Sequence, residues 1–509
     1  MTSPEEILTI SPKPAEEGKA PDNQLHRNSM GVAGIVFFVV AAAAPIAGMT
    51  GLVPSTIVMG NGAAAPGAFL IAGIMLLFFA VGYATMSHHV THAGAFFAYV
   101  GRGLGAPWGV ASAFVSVLSY CLVQTAIYGF LGATVSQKMA SLGLDLPWWF
   151  YCLLCIGIVQ IFGILNVDLG AKVLGVLLTL ELASMVVTGL AVVLHGGGPN
   201  GLDFAASFSP VNIFQGAPGI AFAFAFAGFI GFEATAIYGE ECRDPKRTVP
   251  RATYTAVIII TLIFALTSFA IISGAGSANI VNKTVELTTL GGTPLADPAQ
   301  LLFSVAGQYV GPWMPELMSW LLITSLFAGV LAFHNSATRY FYAMGRSGLL
   351  PASLGTTGRF KTPVRASVLQ TVIGAVTIVA FAVAGLDPVV TLFYWFAITA
   401  ILGLTFIQGL VCVAVIRFFR ETRADTRVWN TLIAPLLGLV SIIVAEYLLL
   451  SRFGLISGTA GADSPEWEMN ATGWCLVALP FVTFVIALAY GFILERKKSD
   501  DEVLHEFVS

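Results

Sequence analysis

Apolar runs of about twenty residues, the length needed to cross the hydrocarbon core of a bilayer, recur along the whole chain. Twelve can be drawn, at 31–57, 66–86, 104–136, 147–166, 170–195, 216–240, 251–275, 312–343, 364–386, 389–418, 430–451 and 471–494. They restrict the fold more than any other feature. Backbone surrounded by lipid must satisfy its own hydrogen bonds, and a single run of this length does so as a helix. Composition agrees: 57% of the 509 residues are hydrophobic and 10% charged, against about 25% charged in a soluble domain. The expected fold class is an all-α integral membrane protein with 12 transmembrane helices.

An even number of spans puts both termini on one side. With the N-terminus cytoplasmic, the inside segments carry 21 of the 24 Lys and Arg, leaving only Lys138, Lys283 and Arg452 outside. That asymmetry is the one expected of a multi-pass protein of the plasma membrane, and one missed span would scramble it. Residues 1–30 are polar, rich in Pro and Glu, and lack the basic start and cleavage site of a secretory signal. They read as a disordered cytoplasmic tail, and 495–509 as a second cytoplasmic tail. The formal net charge of −4 says little about partners, and nothing suggests nucleic acid. Cys152 and Cys155 form a CxxC, but one turn of a spanning helix is the wrong setting for zinc or a redox pair, so they read as packing residues. His88, His89 and His92 cluster in "SHHVTH", and His88 and His92 have a spacing that can hold zinc on a helix, yet no cysteine or second histidine cluster lies nearby in sequence. They read as a solvated rim, and no metal or organic cofactor is expected.

Two spans contain what a spanning helix avoids. The first carries "AAAAPIAGMTG" near its centre, where Pro45 removes an amide donor and Gly48 weakens the helix. The sixth reads "GIAFAFAFAGFIGFEATAIYGEE", with Gly228 and Gly231 near the middle and Glu233 just after them. An intramembrane carboxylate is costly and marks a functional site by default. The breaks lie five spans apart. Because five is odd, the second set of five would be inverted relative to the first, a layout in which secondary transporters bind substrate between two discontinuous helices. Repeats of about 31–195 and 216–418 then form a transport core at 31–418, with 430–494 holding the last two spans. No residue-level match relates the halves, so two unrelated kinks in Gly-rich helices remain the alternative.

Three stretches carry a family resemblance. "FIGFEATAIYGEECRDPKRTVPRA" (229–252) is similar to a glycine–aromatic–acidic break followed by an EE-x-x-x-P-x-R-x-x-P-x-A loop. "HAGAFFAYVGRGLG" (92–105) and "HNSATRYFYAMGRSGLLP" (334–351) are similar to P-x-A-G-x-x-Y-x-Y-V-x-R-x-x-G and N-x-A-x-R-x-x-Y-x-M-x-R-D-G-x-L-P. Together they resemble the amino acid–polyamine–organocation (APC) permease superfamily. The resemblance implies a LeuT-type 5+5 inverted repeat with helices 1 and 6 discontinuous, two extra helices, alternating access, and commonly proton coupling or exchange. The first break departs from the family, where a run of small residues offers free amides to a substrate carboxylate. Here the run is Ala43, Ala44, Pro45, Ile46, Ala47, Gly48. Pro45 has no amide to give, whereas Ile46, Ala47 and Gly48 do.

The candidate substrate residues are Ala44, Pro45, Ile46, Ala47 and Gly48 at the first break and Phe229, Gly231 and Glu233 at the second. The resemblance associates an acid at the Glu233 position with proton coupling or with a substrate amine; a carboxylate that only caps the broken helix is the alternative. Glu181 in the fifth span is a second intramembrane acid, read as a proton relay, part of a cation site, or a hydrogen-bonded packing residue. Tyr120, Gln124 and Tyr128 recur every four residues on one helical face and form either a substrate wall or a helix contact. Tyr394 and Trp395 are candidate gates or members of an interfacial belt. Thr324 and Ser325 offer hydroxyls for sodium or bond their own helix.

The reading is a secondary transporter, not an enzyme, that imports an amino acid or polyamine by alternating access, driven by protons. The alternative is a carrier or exchanger of a carboxylate-free amine such as ethanolamine or putrescine, which Pro45 would suit. A channel would need a pore-lining ring or selectivity filter, and an enzyme a clustered constellation of catalytic groups; the polar residues here are scattered singly through the spans. The partners expected are the small solute, the proton and the lipid bilayer.

Overall fold

Helix is the only way for these segments to satisfy their backbone without water, and the chain adopts it almost throughout. The computed structural model describes residues 31–90, 94, 96–165, 168–461 and 464–497. Among the described residues nine helices are long and apolar enough to cross a membrane, and two shorter apolar helices, Trp148–Ile164 and Pro218–Ala227, accompany them. The only β-pairings among those residues are isolated bridges at Gly198–Gly201 and Leu290–Thr293. The expected tail at 1–30, His92, and most of the expected C-terminal tail lie outside the described residues.

The elements that position the site are α1 (Val32–Ala43), α2 (Pro45–Ser55), α3 (Ala65–Ser87), α4 (Phe96–Leu104), α5 (Ala106–Ser141), α6 (Trp148–Ile164) and α7 (Asp168–Leu194). After them come α8 (Pro218–Ala227), α9 (Pro245–Ala275), α10 (Trp313–Arg346), α11 (Val364–Val383), α12 (Tyr394–Thr422), α13 (Ala434–Ser451) and α14 (Ala471–Lys497). The long connection before α10 holds two short α-helices, Ile280–Thr288 and Gln300–Tyr309.

Helix α5 is the central post, packed on α4, α6, α10, α12 and α14. Against it, α1 packs on α9 and α10, and α3 packs along α9. Small residues set that last contact: a Cβ at Gly73 would collide with the Thr261 side chain. Without a hydrophobic force between helices in lipid, such close backbone approach is what holds them. The outer helices turn large apolar side chains outward, with Val186, Val376, Val440 and Val485 each more than half exposed. A soluble protein would not leave such a belt open; lipid covers it in a multi-pass membrane protein.

Candidate functional site between two helix breaks

The first break is a single residue wide. Ala44 has left-handed backbone (φ 42°, ψ 69°) between α1 and α2, and its amide still reaches back to the Ala41 carbonyl at 3.1 Å. A left-handed conformation costs an ordinary residue roughly 1–2 kcal/mol, so packing must hold it there. Pro45 then takes the first position of α2, where no amide is needed. The second break is wider. Helix α8 stops at Ala227, Gly231 stands at φ 102°, and helix resumes only at Ala234–Ile237. Glycine is required at Gly231: its φ excludes side chains, and a Cβ would meet that of Ala42 at 2.9 Å. The two breaks therefore touch.

Each break has an amide held by a carboxylate of the protein itself. The Ile46 amide donates to Glu181 Oε1 at 2.7 Å, and the same oxygen accepts from the Ser325 hydroxyl at 2.8 Å. Glu181 thus ties the start of α2 to α10 from α7. The Gly231 amide donates to Glu233 Oε2 at 3.0 Å, while Glu233 Oε1 accepts from the Tyr120 hydroxyl at 2.7 Å. Both carboxylates are buried, and Tyr83 donates to the Glu233 backbone carbonyl at 2.7 Å. Thr324, by contrast, bonds the Leu321 carbonyl of its own helix.

A cavity of about 90 Å³ lies between the breaks. The N-terminal end of α2 faces it with Ala44, Ala47 and Gly48, and the C-terminal end of α8 with Ala227 and Gly228. The rest of the wall is apolar: Val123, Ala126 and Ile127 from α5, Leu326 and Phe333 from α10, and Phe130 beside Phe393, their rings 5.1 Å apart. No charged side chain is among the wall residues.

The residues singled out from sequence divide into four groups. Ala44, Ala47 and Gly48 line the cavity. Pro45, Ile46, Glu181, Gly231, Glu233, Tyr120 and the buried Phe229 stand behind its wall, shaping the breaks. Gln124 and Tyr128 point into a separate buried network. Gln124 Nε2 is 3.3 Å from both the Tyr128 hydroxyl and His334 Nδ1, and its Oε1 accepts from Gln370 Nε2. His334 Nε2 continues to the Ser367 hydroxyl at 2.8 Å, which donates to Gln160 Oε1 at 3.1 Å. Tyr394 meets the Ser55 hydroxyl at 3.0 Å, and Trp395 donates to the Ser457 carbonyl at 2.8 Å; their neighbour Phe393 is the aromatic that reaches the cavity.

Sequence reasoning missed Phe130, Phe333 and Phe393, which look like any apolar residue of a span. It also missed Gln160, Gln370 and His334, although uncharged polar side chains inside spans are a usable signal, since they must find partners within the bundle. A further contact joins two of the quoted motifs. Arg339 and Glu241 form a buried bidentate pair at 2.6 and 3.1 Å, and the guanidinium lies 4.6 Å from the Tyr238 ring centre.

The amino acid permease family model matches residues 34–502. The branched-chain amino acid permease BcaP of Lactococcus lactis is 23% identical over 335 residues, 60% of this chain and 67% of that protein. The serine/threonine exchanger SteT of Bacillus subtilis is 26% identical over 287 residues, 56% of this chain and 60% of that protein. The vacuolar cationic amino acid transporter 4 of Arabidopsis thaliana is 25% identical over 376 residues, covering 69% and 57%. The matched stretches span between 53% and 67% of the first three relatives. The family and these relatives are transporters, not enzymes.

Proposed function

The chain belongs to the amino acid permease family, and on that premise we propose that it imports neutral amino acids with small aliphatic side chains by proton-coupled alternating access. The observation that carries the reading is the cavity between the breaks. Its wall joins one helix N-terminus, at Ala44 to Gly48, to one helix C-terminus, at Ala227 and Gly228. These ends carry opposite partial charges, matching a substrate carboxylate and ammonium respectively. The remaining wall is aliphatic and aromatic, which suits an uncharged side chain.

Proton coupling follows from Glu181. An ionised Glu181 already occupies the Ile46 amide at the start of α2, where a substrate carboxylate would add a second negative charge. The two exclude each other unless a proton neutralises Glu181, so proton and substrate bind together, and by linkage each favours the other. Glu233 does the equivalent work at the second break, releasing or holding the Gly231 amide. The architecture that goes with this mechanism is a LeuT-type core over 31–418 with repeats of about 31–195 and 216–418. Twelve spans, two of them extra, and both termini in the cytoplasm complete it, in the plasma membrane. In support, α1 to α3 form one apolar run of 56 residues, more than twice the length a single crossing needs.

A carrier of carboxylate-free amines is disfavoured, because no acidic side chain reaches the cavity wall. Thermal stabilisation of the purified protein tests the choice, using each amino acid beside its decarboxylated amine. A ligand at a hundredfold excess over Kd adds about 2.7 kcal/mol to apparent stability. Aliphatic amino acids such as leucine or valine are expected to stabilise while isoamylamine or isobutylamine does not. Stabilisation by the amines alone would reverse the assignment.

A further inference from the structure

A second and larger cavity, about 440 Å³, opens next to the central one. The two share Phe130, and the same elements line both in register. On α10, Leu322 faces the larger cavity and Leu326 the smaller; ahead of α12, Val389 and Phe393 divide in the same way. A molecule in the larger cavity is therefore one aromatic side chain away from the breaks. Unlike the central wall, this one carries charge of both signs. Lys138 comes from the far end of α5, and Asp297 from the connection between α9 and α10.

From this pairing we propose that the outer cavity is a vestibule subsite that captures zwitterionic amino acids, the carboxylate on Lys138 and the ammonium on Asp297, before they pass the Phe130–Phe393 pair. The inference rests on the transport reading above and on the topology that puts Lys138 outside. The polar groups around the two charges suit the role. Thr134, Gln137 and Gln300 border the cavity, giving neutral donors and acceptors that hold a zwitterion without adding net charge. Lys138 pairs with Glu316 at 2.5 Å and lies 5.1 Å from the Trp320 ring centre, and Glu316, 65% exposed, is a partner that can turn to water. Asp297 accepts from Gln300 at 2.9 Å, and partial burial still raises its carboxyl pKa above the usual carboxylate value. It thus sits in a setting where an incoming ammonium is a favourable partner.

Sided transport kinetics test the proposal. Uptake of labelled L-leucine and L-alanine is measured in right-side-out and inside-out membrane vesicles bearing the full-length protein. Lys138→Gln and Asp297→Asn are each expected to raise the external KM about tenfold, the loss of one charge-assisted contact, with maximal rate and internal-side KM unchanged. Glu316→Gln separates binding from a structural role. It breaks the same ion pair as Lys138→Gln but frees the ammonium, so the external KM is expected to stay level or fall. External KM values within twofold of the parent, equal changes from both faces, or a rise in KM with Glu316→Gln would each overturn the vestibule. Absence of saturable uptake by the parent protein would overturn the transport reading and this inference with it.

Discussion

Glu181 performs two tasks that substitution can separate: it caps α2, and in the proposed cycle it carries the proton. In Glu181→Ala the Ile46 amide loses its 2.7 Å acceptor inside the bundle. A buried amide left unpaired costs about 1–3 kcal/mol. Ser325 suffers less, since its hydroxyl can turn to a carbonyl of its own helix. The void left by the carboxyl adds on the order of 1 kcal/mol, and removing a desolvated charge offsets part of the total. The net expectation is a loss of roughly 1–3 kcal/mol, read as a lower melting temperature of the purified protein. Glu181→Gln keeps a carbonyl oxygen in place, so only the charge-assisted part of the bond is lost, about 1 kcal/mol or less. It is expected to melt near the parent and to bind substrate, yet its uptake should no longer respond to external pH or to an imposed proton gradient. An alanine variant as stable as the parent would refute the capping argument. A glutamine variant whose substrate accumulation is still driven by an imposed proton gradient would refute proton carriage by Glu181.

Two further substitutions probe the break and the buried ion pair. Gly231→Ala forces a side chain onto φ 102° and drives its Cβ to 2.9 Å from that of Ala42; strain of at least about 1–2 kcal/mol should reach the first break. Uptake at least tenfold slower with the protein still folded is the expected result, and an unchanged rate counts against contact between the breaks as a functional element. Glu241→Ala strands Arg339, whose side chain is 8% exposed, and should destabilise by about 3–5 kcal/mol. A change below 1 kcal/mol in denaturation of the purified protein would mean that the guanidinium finds another partner.

Much of the architecture was legible in the chain because the bilayer imposes one rule on every span. Apolar length alone located the long apolar helices, and Pro45, Gly228 and Gly231 marked both breaks, since helix chemistry is local and a missing amide or an absent Cβ acts within one turn. Glu233 and Glu181 stood out for the same kind of reason: a carboxylate in an apolar run is anomalous wherever it points.

What these acids hold was not legible. That Glu181 reaches the Ile46 amide across 135 positions, or that Arg339 meets Glu241 across 98, depends on how helices pack, and in a helix apolar on all sides the sequence does not say which face turns inward. The same ambiguity hid the cavity wall. Tyr120, Gln124 and Tyr128 share a helical face, yet the first turns to Glu233 and the other two to the His334 network. Phe130 and Phe393 became boundaries only when α5 met the segment ahead of α12. The sequence by itself determined where the apolar helices lie and where two of them break, because those are properties of single segments in a uniform solvent. The tertiary structure decided which groups meet at the breaks, because that follows from the rotation of each helix about its own axis, which is set by neighbours far away along the chain.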